Sequence, residues 1–268
     1  MPESDGLRMV VCIKQVPKAE QLQIDPVKKT LIREGVESEI NPSDLHALEM
    51  ALQLKDKHGG SVFALSMGPP RFIQALETAI SMGADEGILL SDRALAGSDT
   101  LPTSYALSKA IQHLGGFDIV FCGEETTDSS TGHVGPGIAA NLDIPQLTYV
   151  VEVGVRDDHV RAKRAVEDGF EVWETRLPVV ITVNHGCNRP REPTLLGKIR
   201  ARTIGVLRDF TAEDVGLDKE RIGLSGSPTV VSKIETVELP ERSGRIYSGE
   251  VKEAVRKLLD DLEMEGLI

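Results

Sequence analysis

A run of hydroxyl, acidic and glycine residues at positions 123–137 is the stretch of this sequence best suited to chemistry. It follows the apolar run IVF at 119–121 and leads into GIAANL, so the pattern predicts a strand, a loop and a helix. The first backbone N–H groups of a helix lack intrahelical partners and lie at the positive end of its dipole, where an anion binds well. We therefore expect a nucleotide phosphate here, with a simple helix cap as the alternative.

The side chains of this loop are of three kinds. Hydroxyl groups add hydrogen-bond donors, and glycines let a ligand approach the backbone closely. These residues are Thr126, Thr127, Ser129, Ser130, Thr131, Gly132, Gly135 and Gly137. Glu124, Glu125 and Asp128 carry the wrong charge for a phosphate, so we expect them to accept hydrogen bonds from sugar hydroxyls or to cap backbone N–H groups. His133 could donate a hydrogen bond to the ligand, with an exposed histidine at a helix start as the alternative.

Apolar runs and helical patterns alternate through the first half of the chain. Buried strands are predicted at 9–16, 61–68, 86–92 and 117–123, and helices at 42–58, 72–83, 102–114 and 132–142. Asn41 is the predicted N-cap of the first helix, Pro42 suits its first position, and Asp44 complements the helix dipole. A small hairpin or excursion is expected within residues 17–40, with Asp25-Pro26 as a turn signal. This alternation predicts a parallel sheet wound right-handedly, with a ligand crevice at the carboxyl ends of its strands near a topological switch point.

The pattern becomes richer in strands beyond residue 145. Three segments alternate apolar and polar residues and predict antiparallel strands, and the apolar run LPVVITVNH predicts another buried strand. A basic helix around Lys198, Arg200 and Arg202 is expected to end a nucleotide-binding domain of residues 1–204. Residues 205–268 show little core pattern before a last helix. We therefore expect an arm that docks on a partner subunit, with packing against its own domain as the alternative.

Composition narrows the possible classes of function. The net charge of −12 argues against binding to nucleic acid or to an anionic membrane surface. No window is apolar enough to span a bilayer, so we expect a cytoplasmic protein without direct membrane insertion. Three widely spaced cysteines suit a reducing compartment, and Cys12 and Cys122 are expected in the core because both lie in apolar runs. A GxGxxG after the first strand, a P-loop, a GxSxG elbow and metal-ligand spacing are all missing from the sequence.

Several motifs together resemble the beta subunits of electron-transfer flavoproteins. They are VVCIKQVP, LIREGVESEINPSDLHALEMAL, SMGPP, ETAISMGADEGILL, the loop GxxxxDxxxxxVGP, VRAKRAVEDGFE, LPVVITV and NRPRxP. The resemblance implies an α/β, Rossmann-like fold of the adenine nucleotide alpha hydrolase-like type, with a parallel sheet, a small antiparallel portion and a C-terminal arm. It also implies a heterodimer whose alpha subunit carries an electron-shuttling FAD and is gripped by that arm. The nucleotide contacts that it carries over fall on Cys12, Asn41, Pro42, Ser43, Asp44, Met67, Gly68, Gly123, Glu124, Glu125, Thr126, Thr127, Asp128, Ser129, Ser130, Thr131, Gly132, His133, Val134 and Gly135.

A second segment bears on which nucleotide the chain holds. Housekeeping members of the family bind AMP structurally, whereas electron-bifurcating and Fix-type members hold a second FAD in the same place. The latter resemble this chain in DRALAGSDTLPTS, where an AGxDT sequence gives room and hydrogen bonds to the larger cofactor. The residues concerned are Ala96, Gly97, Asp99, Thr100 and Thr103. The resemblance thus favours FAD, with AMP as the alternative and a nucleotide-sensing homodimer of the universal-stress type as a further one.

The FAD interpretation implies hydride transfer from NADH to the flavin of the beta subunit. One electron would then pass to ferredoxin or flavodoxin, and the other through the alpha flavin to a dehydrogenase or quinone reductase. The flavin supplies the redox chemistry, so no side chain of this chain is expected to act as an acid or base. The Fix-type branch further implies a FixC/FixX-like quinone oxidoreductase and ferredoxin as partners, which would hold the complex at the inner face of the membrane.

Overall fold

The computed structural model describes residues 6–18, 23–24, 31–32, 38–203, 206–230 and 244–268. The chain divides into two compact units, residues 1–233 and 234–268. The strands of the described residues all lie in the first unit. They are β1 (Leu7–Cys12), β2 (Gln15–Pro17), β3 (Gln23–Ile24), β4 (Leu31–Ile32), β5 (Ser38–Ile40), β6 (Gly60–Met67), β7 (Glu86–Leu90), β8 (Ile119–Gly123), β9 (Gln146–Arg156), β10 (His159–Val166), β11 (Gly169–Arg176), β12 (Val179–Val183) and β13 (Leu207–Phe210).

One large sheet organises this unit, in the order β11-β10-β9-β12-β8-β1-β6-β7-β13. Neighbouring strands pair in parallel throughout the series β9-β12-β8-β1-β6-β7-β13, whereas β9–β10 and β10–β11 are antiparallel. The predicted α/β fold with a mostly parallel sheet is therefore confirmed. The antiparallel strands extend the same sheet, because β9 pairs in parallel with β12. Two small antiparallel pairs, β2–β5 and β3–β4, stand outside it.

Helices cover both faces of the parallel strands. Among the described residues, the α-helices of the first unit are α1 (Pro42–His58), α2 (Ile73–Met82), α3 (Thr100–Leu114), α4 (Val134–Leu142), α5 (Leu195–Arg200) and α6 (Gly223–Gly226). The second unit contains α7 (Val251–Met264). Alternate side chains of β1 enter two separate hydrophobic cores. Met9 and Val11 pack in the core that includes residues of α1 and α2, and Val10 and Cys12 pack in the core that includes residues of α3 and α4. This burial on both faces explains why the central strands read as continuous apolar runs.

The direction of winding reverses beside β1. The chain passes from β1 to β6 and β7 toward one edge, and α3 then returns it to β8 on the opposite side of β1. The pair β8–β1 is therefore a topological switch point, at whose carboxyl ends ligands bind in sheets of this class. Cys12 ends β1 and Gly123 ends β8, so two of the predicted ligand segments begin on the two sides of this crevice.

Several element boundaries differ from those predicted. The predicted first strand is divided, since β1 ends at Cys12 and β2 pairs with β5 outside the main sheet. Helix α3 begins at Thr100 instead of Pro102 because the Asp99 carboxylate accepts the N–H of Leu101 at 2.9 Å and caps the helix. The expected hairpin within residues 17–40 is present as β3 and β4. Its Asp25-Pro26 turn signal lies outside the described residues.

The first compact unit extends to residue 233, and the functional domain boundary expected at residue 204 stays a prediction. Strand β13 pairs with β7 at the sheet edge, and Phe210, Val215 and Ile222 are buried in the core that α3 and α4 share. These apolar residues follow no helical or strand period, so pattern analysis gives no sign of them. In the second unit, Asp261 of α7 accepts hydrogen bonds from Arg245 at 2.9 Å and Tyr247 at 2.6 Å. Across the described residues, no helix combines the length and apolar character that a membrane span requires.

Candidate functional site

Three predicted segments meet at the crevice between β1 and β8. Lys14 follows β1, residues 41–44 open α1, and residues 124–133 connect β8 to α4 and are called the β8–α4 loop below. The loop's N–H groups and hydroxyls lie at the carboxyl ends of the strands, where the sequence predicts a phosphate. Most of its side chains, from Thr127 to Thr131, are exposed. Contacts with Asn41, Lys14 and the residues beyond β12 hold this exposed loop in place.

Asn41 holds the centre of the β8–α4 loop. It stands at the N-cap position of α1, as predicted, but its side chain makes no cap hydrogen bond. Its Nδ2 donates to the carbonyl of Glu125 at 2.8 Å, and its Oδ1 accepts the N–H of Thr127 at 3.1 Å. Asn41 is fully buried. The amide therefore fixes the backbone on both sides of Thr126, and a buried side chain that makes two such bonds leaves the loop little freedom.

Lys14 neutralises one of the three acidic side chains of the loop. Its Nζ lies 2.6 Å from Oδ1 of Asp128, and about a third of each side chain is exposed. Partial burial raises the pKa of Asp128, but the bond and charge of Lys14 and the hydroxyls of Thr126 and Ser129 outweigh it and hold the pKa below its usual range. The sequence places Lys14 on the rim without giving it a role. Because 114 positions separate Lys14 from Asp128, no local sequence pattern indicates that the two residues pair.

Glu124 turns away from the crevice. Its carboxylate accepts hydrogen bonds from Nδ2 of Asn184 at 2.7 Å and from the backbone N–H of His185 at 2.9 Å, both just beyond β12. The expectation that an acidic side chain of the loop caps backbone N–H groups is confirmed for this residue. With Asp128 paired to Lys14 and Glu124 bonded to residues 184–185, the loop opposes an anion less than its sequence suggests.

The middle of the loop is a tight turn held by its own hydroxyls. Oγ1 of Thr126 lies 2.8 Å from both Oδ1 of Asp128 and Oγ of Ser129, and the N–H of Ser130 donates to the carbonyl of Thr126 at 2.7 Å. Ser130 has a positive φ of 44° and Gly132 one of 63°. Successive N–H groups of a turn can form an anion-binding concavity. Here the N–H groups of Ser129 and Ser130 both donate to the carbonyl of Thr126, so other N–H groups of the loop would have to bind the anion.

In the GHVGPG sequence at 132–137, Gly135 and Gly137 are needed for packing, apart from any contact with a ligand. A Cβ on Gly135 would meet the methyl group of Thr182 on β12, and one on Gly137 would lie 2.6 Å from the hydroxyl of Ser104 on α3. Gly123 likewise faces Ser43 and Asp44 at the start of α1. Glycine at these positions lets α4 and α1 approach their neighbours, a reason that the sequence alone does not reveal.

Asp44 lies at the base of the crevice. Its Oδ2 accepts the backbone N–H of Lys14 at 2.8 Å and its Oδ1 accepts that of Gly123 at 3.1 Å. One carboxylate thus bridges the ends of β1 and β8. Cys12 and Cys122 beside it are buried, as predicted. The side-chain hydrogen bond between Cys122 and Cys12, together with burial and the nearby Asp44 charge, raises the pKa of the Cys122 thiol well above its usual range.

The AGSDT segment lies at the same edge of the sheet, beyond β7. In addition to capping α3, the Asp99 carboxylate accepts two hydrogen bonds from Thr229, one from its N–H at 3.0 Å and one from its hydroxyl at 2.7 Å. The N–H of Asp99 donates to the hydroxyl of Ser227. Leu224 fills the space beside Gly97. The Asp99 carboxylate is therefore committed to residues of its own chain, while Ala96 stays exposed and Thr100 and Thr103 partly exposed.

The remaining predicted residues lie close to the crevice or one strand away. Met67 ends β6, and Gly68 donates its N–H to the carbonyl of Leu90 at 3.1 Å while its Cα faces the ring of Phe72. Pro42 and Ser43 form the first turn of α1, and Val134 opens α4. His133 precedes α4 with its side chain exposed.

This fold and crevice define an α/β protein with a doubly wound, mostly parallel sheet and a candidate ligand site at its switch point. Residues 28–207 match the electron transfer flavoprotein domain family. Over 262 residues the chain is 47% identical to the electron transfer flavoprotein subunit beta of Thermoanaerobacterium thermosaccharolyticum, covering 98% of this chain and 100% of that protein. It is 43% identical to Protein FixA of Sinorhizobium fredii, with 96% and 92% covered, and 47% identical to Protein FixA of Azotobacter vinelandii, with 85% and 83% covered.

The chain belongs to the electron transfer flavoprotein family and is a protein of the beta-subunit or FixA type. Its role is therefore in electron transfer, and the family implies an alpha subunit as its partner. The family match leaves the universal-stress-type homodimer without support.

Proposed function

We propose that this chain binds FAD in the crevice between β1 and β8, accepts hydride from NADH within a heterodimer, and takes part in electron bifurcation. The observation that carries the proposal is the set of contacts that fix the β8–α4 loop, those of Asn41, Lys14 and Glu124. They hold a hydroxyl-rich backbone turn open at the switch point. Relatives named FixA at 43% and 47% identity support the Fix-type branch, to which the AGSDT segment also points.

The dimensions of the rim suit a ligand longer than AMP. From β8 to β7 the sheet crosses three strand spacings, or about 14 Å at the usual separation of neighbouring strands. An adenylate at the β8–α4 loop would occupy the β8–β1 part of this edge. A dinucleotide could also reach the first turn of α3, where Thr100 and Thr103 offer hydroxyls.

In this proposal the chain's own residues bind and orient. The N–H groups and hydroxyls of the β8–α4 loop hold the phosphates, Lys14 neutralises Asp128 beside them, and Asn41 keeps the loop backbone in register. When bound, the flavin supplies the electron-transfer chemistry, and the protein sets its position and electrostatic surroundings. The second candidate is structural AMP in the same crevice, favoured by the commitment of Asp99 to residues 227–229.

Counting flavins decides between the two candidates. The heterodimer of this chain with its alpha subunit would be purified. Denaturation would then release the bound FAD and AMP, and each would be quantified per heterodimer. The proposal predicts two FAD, no AMP and rapid bleaching of the flavin absorbance by NADH. One FAD with one AMP, and no reduction by NADH, would establish the structural-AMP function instead.

Further partners follow from the same proposal. Electrons would leave through ferredoxin or flavodoxin and, by way of the alpha flavin, through a dehydrogenase or a FixC/FixX-like quinone oxidoreductase that holds the complex at the membrane. The second unit would dock on alpha, since α7 exposes Val251, Leu258 and Leu259. Truncation after residue 233 should therefore weaken association with alpha. Unchanged association in analytical ultracentrifugation would refute this docking.

A further inference from the structure

We propose that Asp44 is a positioning residue that holds the ends of β1 and β8 at the separation the nucleotide requires, and that it does so only as a carboxylate. The inference rests on the proposed nucleotide site. It gives Asp44 a role that acts through the backbone of Lys14 and Gly123 and needs no contact with the ligand.

The geometry is that of a bridge between two strand ends. Each oxygen of Asp44 accepts a different backbone N–H, that of Lys14 at 2.8 Å and that of Gly123 at 3.1 Å. Lys14 is the residue whose ammonium reaches Asp128, and Gly123 is the last residue before the β8–α4 loop. The carboxylate thus fixes both sides of the crevice from beneath. Only glycine fits at position 123, because a Cβ there would collide with Asp44 and Ser43.

Protonation would break this bridge. A carboxylate accepts at both oxygens, whereas a carboxylic acid turns one oxygen into an O–H donor that faces an N–H donor. One of the two buried N–H groups would then lose its partner, a loss that native structures avoid because such groups are costly to leave unpaired. The strand ends would separate or rotate to relieve the conflict, and the loop that begins at Gly123 would move with them.

The surroundings place this titration near neutrality. Burial raises the pKa of Asp44 to about 7, against the lowering effect of the N–H of Lys14, the side chain of Asn41, the N–H of Gly123 and the Lys14 ammonium. Within the described residues, the thiol of Cys122 at the end of β8 also interacts electrostatically with Asp44, and Cys12 at the end of β1 is hydrogen-bonded to Cys122. Asp128 acts on Asp44 through Lys14, which it binds at 2.6 Å.

The experiment is a pH titration of nucleotide binding. The nucleotide-stripped heterodimer would be titrated with AMP and, separately, with FAD by calorimetry between pH 5.5 and 8.5. Binding that requires the carboxylate should weaken about tenfold from pH 8 to pH 6. Asp44→Asn, which keeps one acceptor but places an NH2 group against the second donor, should bind weakly and without this pH dependence. The matched control is Asp118→Asn, since Asp118 accepts the N–H of Arg8 at 2.7 Å at the opposite end of β1. It should keep the wild-type profile.

A second measurement does not depend on whether the variant folds. In the wild-type heterodimer, the amide resonances of Lys14 and Gly123 should titrate together with a midpoint near pH 7. Linkage requires added AMP to lower that midpoint, because the ligand favours the carboxylate. A flat response, a midpoint near pH 4 or an upward shift on adding AMP would overturn the inference, the last because a carboxylate that only repels phosphate behaves in that way. Failure of both AMP and FAD to bind at any pH would overturn the proposed function and this inference together, whereas pH-independent binding would overturn the inference alone.

Discussion

Asn41 lies buried at the start of α1, yet both ends of its amide reach the β8–α4 loop. From the sequence, an asparagine before a proline reads as a helix cap, and residues 84 and 86 positions away give no hint of pairing with it. The same limit applies to Lys14 and Asp128, and to Glu124 and Asn184. The residue types of the site could be predicted from the sequence, but the contacts could not, because they join segments far apart in the chain.

Asn41→Ala tests whether these contacts set the shape of the site. The substitution leaves the carbonyl of Glu125 and the N–H of Thr127 without their partner. Two hydrogen bonds at about 1 kcal/mol each correspond to about thirtyfold in nucleotide affinity. Calorimetric titration with AMP measures the loss. The control is Asn188→Ala, which removes two hydrogen bonds to His46 on the same helix, away from the loop. Equal losses for both variants would show that Asn41 acts through general stability.

At the scale of elements, the helix α4 must approach both β12 and α3, and the glycines of GHVGPG permit this. Gly135→Ala should destabilise the fold by about 1–3 kcal/mol, because its new methyl group meets Cγ2 of Thr182. Thr182→Ser removes that methyl group and keeps the hydroxyl that accepts the N–H of Tyr149 at 3.1 Å. Chemical denaturation of the single and double variants should show rescue by the second substitution. Additive losses would contradict this packing, and Gly154→Ala, with open space at its Cβ, serves as the control.

Arg191 of the NRPR segment forms ion pairs with two acidic residues of α1. The guanidinium of Arg191 binds the buried carboxylate of Glu49 through Nε at 2.9 Å and also reaches Asp56 at 2.8 Å. Arg191→Met leaves the Glu49 charge with fewer donors and should lower the free energy of unfolding by about 2 kcal/mol. The control Arg161→Met breaks an exposed pair with Glu174 at 3.7 Å and should cost almost nothing. Urea denaturation that gave similar values for both variants would contradict the anchoring role.

For the whole molecule, the sequence predicts the fold class well because the buried parallel strands read as apolar runs and the helices carry clear start and stop signals. The elements α1, β6 and β7 lie within a few residues of their predicted positions. Strand β13 escapes prediction because its pairing partner β7 lies more than a hundred residues earlier, and its own four residues, LRDF, do not alternate apolar and polar side chains. The order of strands, and hence the crevice at β1–β8, follows only from the three-dimensional pairing.

The central claim is that the β8–α4 loop holds the phosphates of a bound cofactor through its backbone N–H groups. An experimental structure of the purified heterodimer with its cofactor tests this most directly. The account predicts phosphate density in the crevice between β1 and β8, within hydrogen-bond distance of N–H groups in residues 124–133. A crevice that contains only water, or a cofactor bound elsewhere on this chain, would contradict it.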